Sequence, residues 1–474
     1  MPSQPNARTR VAVVGAGPSG FYATDALLKA RDDILIDIFD RLPAPFGLVR
    51  YGVAPDHQKI KSVTAMYART ASDPRVRFLG NVEVGRDLTV DDLRQHYHAT
   101  VFAYGAPGDR RLGIPGEDLI GSLPATDFVA WYNGHPDYED VNPPLDGETA
   151  IVIGVGNVAV DVARILAKTA DELAGSDIAD HALAALRASK VREVVMVGRR
   201  SPAEAKFSTK ELREFGELQN ADVIVDPADL VLHPVSQERV AEGSAERRNL
   251  DVLQAFADRP AGDAARRLHL RFLYSPRALE SDAGGERVAA VVVERNRLEL
   301  RQDGSLAAVG TGVTERWPAH LVLRSVGYHG SPLPGVPYDE ARGIIPNSQG
   351  RVLDAPGGTH VAGWYTSGWI KRGPSGVIGT NKADAVETVE RLLEDELPTP
   401  ADPRPEAVDA LLARRGVDLI DFEQWRRIDR IELAAGQEHG RPRVKLISRV
   451  DMLAAAGNDS ETQNGVEDAE GDGA

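Results

Sequence analysis

The chain has 474 residues, room for two or three domains with sizeable cores, and an apolar fraction of 42% that suits a globular protein. It has no cysteine, which excludes a disulfide framework, thiolate-held zinc or iron–sulfur clusters and a redox-active thiol pair, so any electron chemistry has to use a bound organic cofactor. The net charge of −16 argues against nucleic acid as a partner. The chain has no apolar run of roughly 18 residues and no apolar stretch behind Met1, which predicts a cytoplasmic protein with no membrane segment.

The first predicted element is the strand Val11-Ala12-Val13-Val14, which runs into Gly15-Ala16-Gly17-Pro18-Ser19-Gly20 and then into a helix from Phe21. In this G-x-G-x-x-G pattern Gly15 allows the tight turn, Gly17 lets the backbone approach a pyrophosphate, and Gly20 permits close packing of helix on sheet. The helix dipole then faces the anion. A second strand over 34–39 ends in Asp40, twenty residues after Gly20, where a carboxylate can bind the hydroxyl pair of a ribose. Residues 41–57 are too rich in Pro and Gly for a regular element and predict a long ordered loop over a ligand. Further strands are predicted at 76–79, 82–84 and 100–104, the last closing on Gly105-Ala106-Pro107-Gly108.

The same pattern returns at Ala150-Ile151-Val152-Ile153-Gly154-Val155-Gly156-Asn157-Val158-Ala159, now as G-x-G-x-x-A before a helix. The strand that follows, 191–198, ends in Arg199-Arg200, where the first unit has Asp40. Paired guanidiniums clamp a ribose 2′-phosphate that an acid would repel, so the second nucleotide reads as NADP rather than NAD. Arginines 247, 248, 266, 267 and 271 then cluster among strands predicted at 268–273 and 288–294, and the strand over 321–328 returns the chain towards the first domain. A Gly-rich run, 360–381, leads into a helix near Asn381. Residues 401–453 carry helical periodicity. The last segment, 454–474, holds six acids (Asp459, Glu461, Glu467, Asp468, Glu470 and Asp472) and almost no large apolar residues, so it reads as disordered.

Taken together, the two dinucleotide motifs, Gly47-Leu48-Val49-Arg50 with Ala54-Pro55-Asp56-His57, Gly198-Arg199-Arg200 and the run from Gly368-Trp369 to Gly379-Thr380 resemble the ferredoxin-NADP reductases of the adrenodoxin-reductase type, within the glutathione-reductase-like flavoproteins. The resemblance spans about residues 8–395. It implies an α/β fold with two nested Rossmann-like dinucleotide-binding domains and a C-terminal helical extension. FAD would sit in a discontinuous domain, 1–106 and 331–400, and NADP in 107–330, with the helical extension at 401–453 and the acidic tail at 454–474. Matched motif by motif, it implies FAD contacts at Ala16, Gly17, Asp40, Leu48, Val84, Trp369 and the backbone of Gly376, Val377 and Ile378. It implies NADP contacts at Arg110, Val155, Gly156, Asn157, Val158, Arg199, Arg200, Glu211 and Gly376. His57 and Glu214 match polar residues beside the flavin and nicotinamide, where the resemblance gives them a part in ordering water, adjusting protonation or coupling to the carrier. The family commonly has Glu where this chain has Asp40, which implies a longer or water-bridged ribose contact.

The implied activity is hydride transfer from NADPH to FAD, then release of single electrons to a ferredoxin-like iron–sulfur protein. It needs no side-chain nucleophile and no metal, and a monomer or weak oligomer suffices. Two alternatives stand beside it: a flavin reductase subunit serving another acceptor, and a nucleotide-sensing module without turnover. An acidic chain that meets an acidic carrier must segregate its charge, so the five clustered arginines predict a basic docking face on the inserted domain.

Overall fold

The computed structural model describes residues 8–260 and 262–457, and the chain forms two compact units. The first holds 8–53, 58–108 and 329–457, and the second holds 54–57 and 109–328. No helix of the described residues is long and apolar enough to cross a membrane.

In the first unit the strand Thr9–Val14 is buried along its whole length, as a central parallel strand must be. Its side chains alternate: Val11 and Val13 enter one core with Phe21, Leu27 and Tyr67, while Ala12 and Val14 enter another with Phe39, Leu93 and Phe102. This strand pairs in parallel with Ile34–Phe39 and with Ala99–Phe102. The sheet extends to Val76–Leu79 on one side and to His360–Thr366 on the other, where the short antiparallel strands Arg351–Leu353 and Asn347–Ser348 finish it. Residues 82–84, read as a strand, form none. Val82 and Val84 are buried, but the only strand-like pairing is an isolated bridge from Val84 to Leu88.

The helices after residue 400 share these cores. Phe422, Trp425 and Ile428 of Phe422–Glu438, with Met452, Ala455 and Ala456 of Arg449–Gly457, pack with Val11 and Val13. Pro405–Arg414 gives Val408 and Leu412 to the opposite core. Periodicity announces an apolar helical face without saying what the face meets. The last helix runs to Gly457, so residues 454–457, read as tail, are helical, and the rest of the predicted acidic tail, 458–474, lies outside the described residues.

The second unit is built on a wholly parallel sheet in the order Ser122–Pro124, Leu321–Arg324, Thr149–Ile153, Glu193–Gly198, Arg266–Phe272, Ala221–Val225. An antiparallel sheet of Tyr274–Ser281, Val288–Leu300 and Leu306–Pro318 shares a core with it through Tyr274, Leu279, Val291 and Val293 against Ile151, Ile153 and Val197. The helix Asn157–Ala167 packs on the same parallel strands.

This unit corrects the predicted five-arginine docking face. Strand alternation turns Arg266 inward, where at 9% exposure it donates to the carbonyls of Leu166, Ala167 and Lys168 at the C-terminal end of the Asn157–Ala167 helix. A guanidinium satisfies the orphan carbonyls there and complements the helix dipole. Arg267 is exposed but paired with Glu193, and Arg271 is paired with Asp229. Arg247 is exposed but paired with Asp251 at 3.0 Å, which leaves Arg248 on the surface of the helix Ala245–Ala257.

One carboxyl in this unit sets a pH dependence. Burial, with Asp127 nearby, pushes Asp109 up to about 7 against the pull of Arg324. The folded carboxyl keeps its proton where the unfolded chain gives it up, so its contribution to stability is full below about pH 4 and is lost as pH climbs to about 7. Asp109→Asn should therefore match the parent near pH 4 and melt about 2–4 °C higher at pH 8, for a gain of about 1–2 kcal/mol after screening. Melting curves across that range check it, and a difference that does not change with pH would refute it.

Candidate functional site

The turn after the first strand separates three roles among its glycines. Gly15 adopts φ +112°, its N–H donates to the Phe39 carbonyl at 2.8 Å, and a Cβ on it would stand 2.6 Å from the Ala103 oxygen. A Cβ on Gly20 would collide with the Gly15 carbonyl. On Gly17 it would meet no protein atom within 4 Å. The fold thus explains Gly15 and Gly20, whereas Gly17 keeps open a space at the N-terminus of the helix Pro18–Ala30, where free backbone N–H groups favour an anion.

Asp40 braces this turn. Its Oδ2 accepts from the Ala16 N–H at 2.9 Å and its Oδ1 from Leu42 at 3.0 Å, while burial pushes the carboxyl up against both hydrogen bonds. The 41–57 loop folds onto the same place: Phe46 donates to the Ala16 carbonyl at 2.8 Å, and a Cβ on Gly47 would lie 3.0 Å from the Gly17 Cα. Leu48, 39% exposed, then heads the short helix Leu48–Tyr51. Gly368 closes in from the distant part of the unit with φ +79°, so near Ser19 that a Cβ would strike its hydroxyl, and Ser19 Oγ donates to Asn381 Oδ1 at 3.1 Å. Trp369 opens the helix Trp369–Arg372, and Gly376, Val377 and Ile378 lead into Thr380–Glu394, with Val377 61% exposed. Val84 spends its side chain in the core.

The second turn repeats the design. Gly154 has φ +139° and a Cβ on it would strike the Ser325 carbonyl, whereas a Cβ on Gly156, the N-cap of Asn157–Ala167, would meet nothing within 4 Å. Asn157 Oδ1 accepts from the Ser208 N–H at 2.7 Å, the Val155 carbonyl accepts from Lys206 at 2.9 Å, and Ser208 Oγ donates to Glu211. Glu211 is thereby tied to the turn, and Val158 is half-buried in the first helical turn. Arg199 and Arg200 follow the strand Glu193–Gly198, their carbonyls held by Asn296 Nδ2 at 2.8 Å and the Leu273 N–H at 3.2 Å. Neither guanidinium has a hydrogen bond or ion pair among the described residues. Arg110 is anchored by its N–H to the Gly327 carbonyl at 3.0 Å, with its side chain exposed.

His57 and Glu214, 157 positions apart, meet: His57 Nε2 lies 2.8 Å from Glu214 Oε2, and Nδ1 lies 3.9 Å from Asp161. An ionised carboxylate only accepts, so the shared proton belongs on Nε2. Behind them stands Arg164, its side chain 2% exposed, bonded to Asp161 at 2.8 Å and to Asp56, and facing Glu214 at 3.4 Å. Lys168 adds a second cation 2.8 Å from Asp56. Burial raises the Glu214 carboxyl, but His57 and Arg164 outweigh it and leave it below the usual range. Asp56 is held down in the same way by Arg164 and Lys168, whereas for Asp161 burial prevails and the carboxyl is pushed up. His57, Asp161 and Glu214 are close enough to hold a metal ion, yet Arg164 already stands on two of these carboxylates and a metal would have to displace it. An open cavity of about 730 Å³ borders Glu214, walled by Lys210, Arg213 and Arg248. Sequence reasoning missed Asp56, Asp161 and Arg164. The signal was there in two charges spaced i, i+3 within the otherwise apolar run Val160–Leu166.

The chain is similar to known proteins over nearly its whole length. The profile of the pyridine nucleotide-disulphide oxidoreductases matches residues 9–225. An NADPH-ferredoxin reductase, FprA of Mycobacterium tuberculosis, is 47% identical over 456 residues, covering 94% of this chain and 98% of the relative. The human mitochondrial NADPH:adrenodoxin oxidoreductase is 43% identical over 463 residues, covering 95% and 92%. The solved structure of M. tuberculosis FprA in complex with NADPH superposes with a TM-score of 0.88 at 46% identity, covering 95% of this chain and 99% of that one.

Arg164→Met should expose what the cation does. Removing it leaves the half-buried Asp56, Asp161 and Glu214 with Lys168 as the nearest remaining cation, which should cost about 2–4 kcal/mol in urea denaturation at pH 7. A loss under about 1 kcal/mol would mean that the carboxylates take up protons or water without strain.

Proposed function

The chain belongs to the family of the NADPH-ferredoxin reductases and mitochondrial NADPH:adrenodoxin oxidoreductases, and from that membership we propose that it oxidises NADPH through FAD and delivers the electrons singly to an iron–sulfur carrier of ferredoxin type. The two cofactors, when bound, supply hydride transfer from nicotinamide C4 to flavin N5 and the one-electron steps after it. The protein binds, orients, shields from water and manages protons.

The first unit suits FAD. The helix N-terminus at Gly17 offers N–H groups to a pyrophosphate, with no side chain over them. Asp40 uses one lone pair on each oxygen for Ala16 and Leu42, and a carboxylate has about four, so it keeps acceptors for ribose hydroxyls. The segment from Phe46 to Leu48 and the run Trp369 to Ile378 complete the pocket. The second unit suits NADPH in the same terms, with its pyrophosphate at Gly156 and contacts from Val155, Asn157, Val158, Arg110 and Glu211. The observation that carries the reading is the pair Arg199 and Arg200: two guanidiniums with no protein partner among the described residues, at the end of the strand Glu193–Gly198, which suits them to clamp a 2′-phosphate. His57 and Glu214 would hold a proton at Nε2 and order water beside the reacting rings. The exposed Arg248, which has no ion pair among the described residues, supplies positive charge of the kind that favours encounter with an acidic carrier.

Anaerobic addition of NADPH should bleach the flavin absorption, and cytochrome c reduction should then depend on added ferredoxin. A colourless protein that takes up no FAD would end this reading. Replacing Arg199 and Arg200 together by Ala removes two charge-assisted contacts of about 1.5–3 kcal/mol each, so KM for NADPH should rise roughly a hundredfold or more while KM for NADH barely moves. Equal loss with both nucleotides would make the arginines structural. The two open glycines should separate in the same assays. Gly17→Ala should fold and lose FAD affinity by about tenfold or more, and Gly156→Ala should keep its flavin and lose affinity for NADPH. If both variants retain wild-type affinity for both cofactors, the open space serves another ligand.

A further inference from the structure

The loop that folds onto the first turn is held from the far end of the sequence. Arg50, 5% exposed, makes a two-pronged pair with Glu432, which is fully buried: Nη1 to Oε2 at 2.8 Å and Nη2 to Oε1 at 2.5 Å. The remaining capacity of that carboxylate is taken by Arg443 Nη1 at 3.0 Å and the Leu446 N–H at 3.0 Å, and Lys445 Nζ donates to the Arg50 carbonyl at 3.3 Å. The Arg50 guanidinium lies over the rings of Tyr51 and Trp425, 5.1 and 5.0 Å from their centroids. Trp425 in turn meets Phe46 edge-on at 5.9 Å. Phe46 donates to the Ala16 carbonyl and adopts φ +86°, a conformation that an aromatic residue holds only where its surroundings over-determine it.

A buried ion pair is a poor source of net stability, since apolar residues of the same volume would hold the helix Phe422–Glu438 at least as firmly. A two-pronged pair does fix direction and register. Here it fixes the segment that carries Gly47 and Leu48 against the open space at Gly17. We propose that Glu432, acting through Arg50, is a positioning residue for FAD: the C-terminal helix clamps residues 46–51 over the dinucleotide turn and thereby sets how tightly the cofactor is held.

The inference rests on the FAD reading above, and its test keeps the two apart. Apoprotein of the full chain is titrated with FAD by flavin fluorescence, and its melting temperature is measured without FAD. Glu432→Gln keeps the shape and removes the charge. The control is Asp409→Asn, which breaks another polar contact of a C-terminal helix to the sheet, Arg77 to Asp409 at 3.0 and 3.1 Å. Glu432→Gln should bind FAD at least about tenfold more weakly and shift the visible band of whatever flavin it holds, while Asp409→Asn binds like the parent even if its apoprotein melts as low. The double variant Arg50→Gln/Glu432→Gln leaves no buried charge unpaired at the clamp, which guards against a single variant that fails to fold, and its affinity should stay below that of the parent. Parental affinity in Glu432→Gln or in the double variant, or an equal loss in the control, overturns the inference alone. A parent that takes up no FAD overturns the cofactor reading and the inference with it.

Discussion

A phosphate needs backbone N–H groups that no side chain covers, and this chain meets the requirement twice with the same backbone. At each turn one glycine accepts a left-handed φ against a neighbouring carbonyl and another leaves empty the place where a Cβ would stand. The two demands oppose each other, since the first crowds the backbone and the second keeps it bare. Both sheets place their central strand so that the crowded glycine meets the chain beyond an adjacent strand, Ala103 in one unit and Ser325 in the other. Loops and cover segments are arranged around that compromise.

Buried charge is the second recurring device. Arg164 and Arg50 are both nearly inaccessible, and each is paired with carboxylates brought from distant parts of the sequence, Asp56 and Glu214 for the first and Glu432 for the second. Such clusters contribute little net stability compared with apolar packing, but they admit few alternative arrangements. They occur where position matters most: behind His57 in one unit and behind the loop over Gly17 in the other.

The parts of this structure legible in the sequence are those set by local chemistry. The turn glycines, the strands feeding them, Asp40 and the arginine pair at 199–200 follow from spacing, because turn, dipole and ligand act within one strand–helix unit. What could not be read depends on neighbours that spacing does not name. Arg266 sits in a cluster of arginines along the sequence yet caps a helix, because strand alternation decides its direction and the helix end decides its partner. Glu432 looks like one of many surface acids on an amphipathic helix. Its burial depends on Arg50, 382 positions away. His57 and Glu214 follow from the resemblance; the spacing of Asp161 and Arg164 in an apolar run marks a buried charge pair, but that it stands behind His57 and Glu214 depends on the fold.

The order of the chain also governs how the protein can be made. The second unit is continuous apart from residues 54–57 and is complete once residue 328 has left the ribosome, whereas the sheet of the first unit lacks a neighbour for Ala99–Phe102 until His360–Thr366 appears. Its core lacks Trp425 and Met452 until later still. The N-terminal strands must therefore wait, with apolar faces uncovered, while the inserted unit folds. During synthesis the earliest strand is among the last to be enclosed, which makes the C-terminal helices the step that ends its exposure.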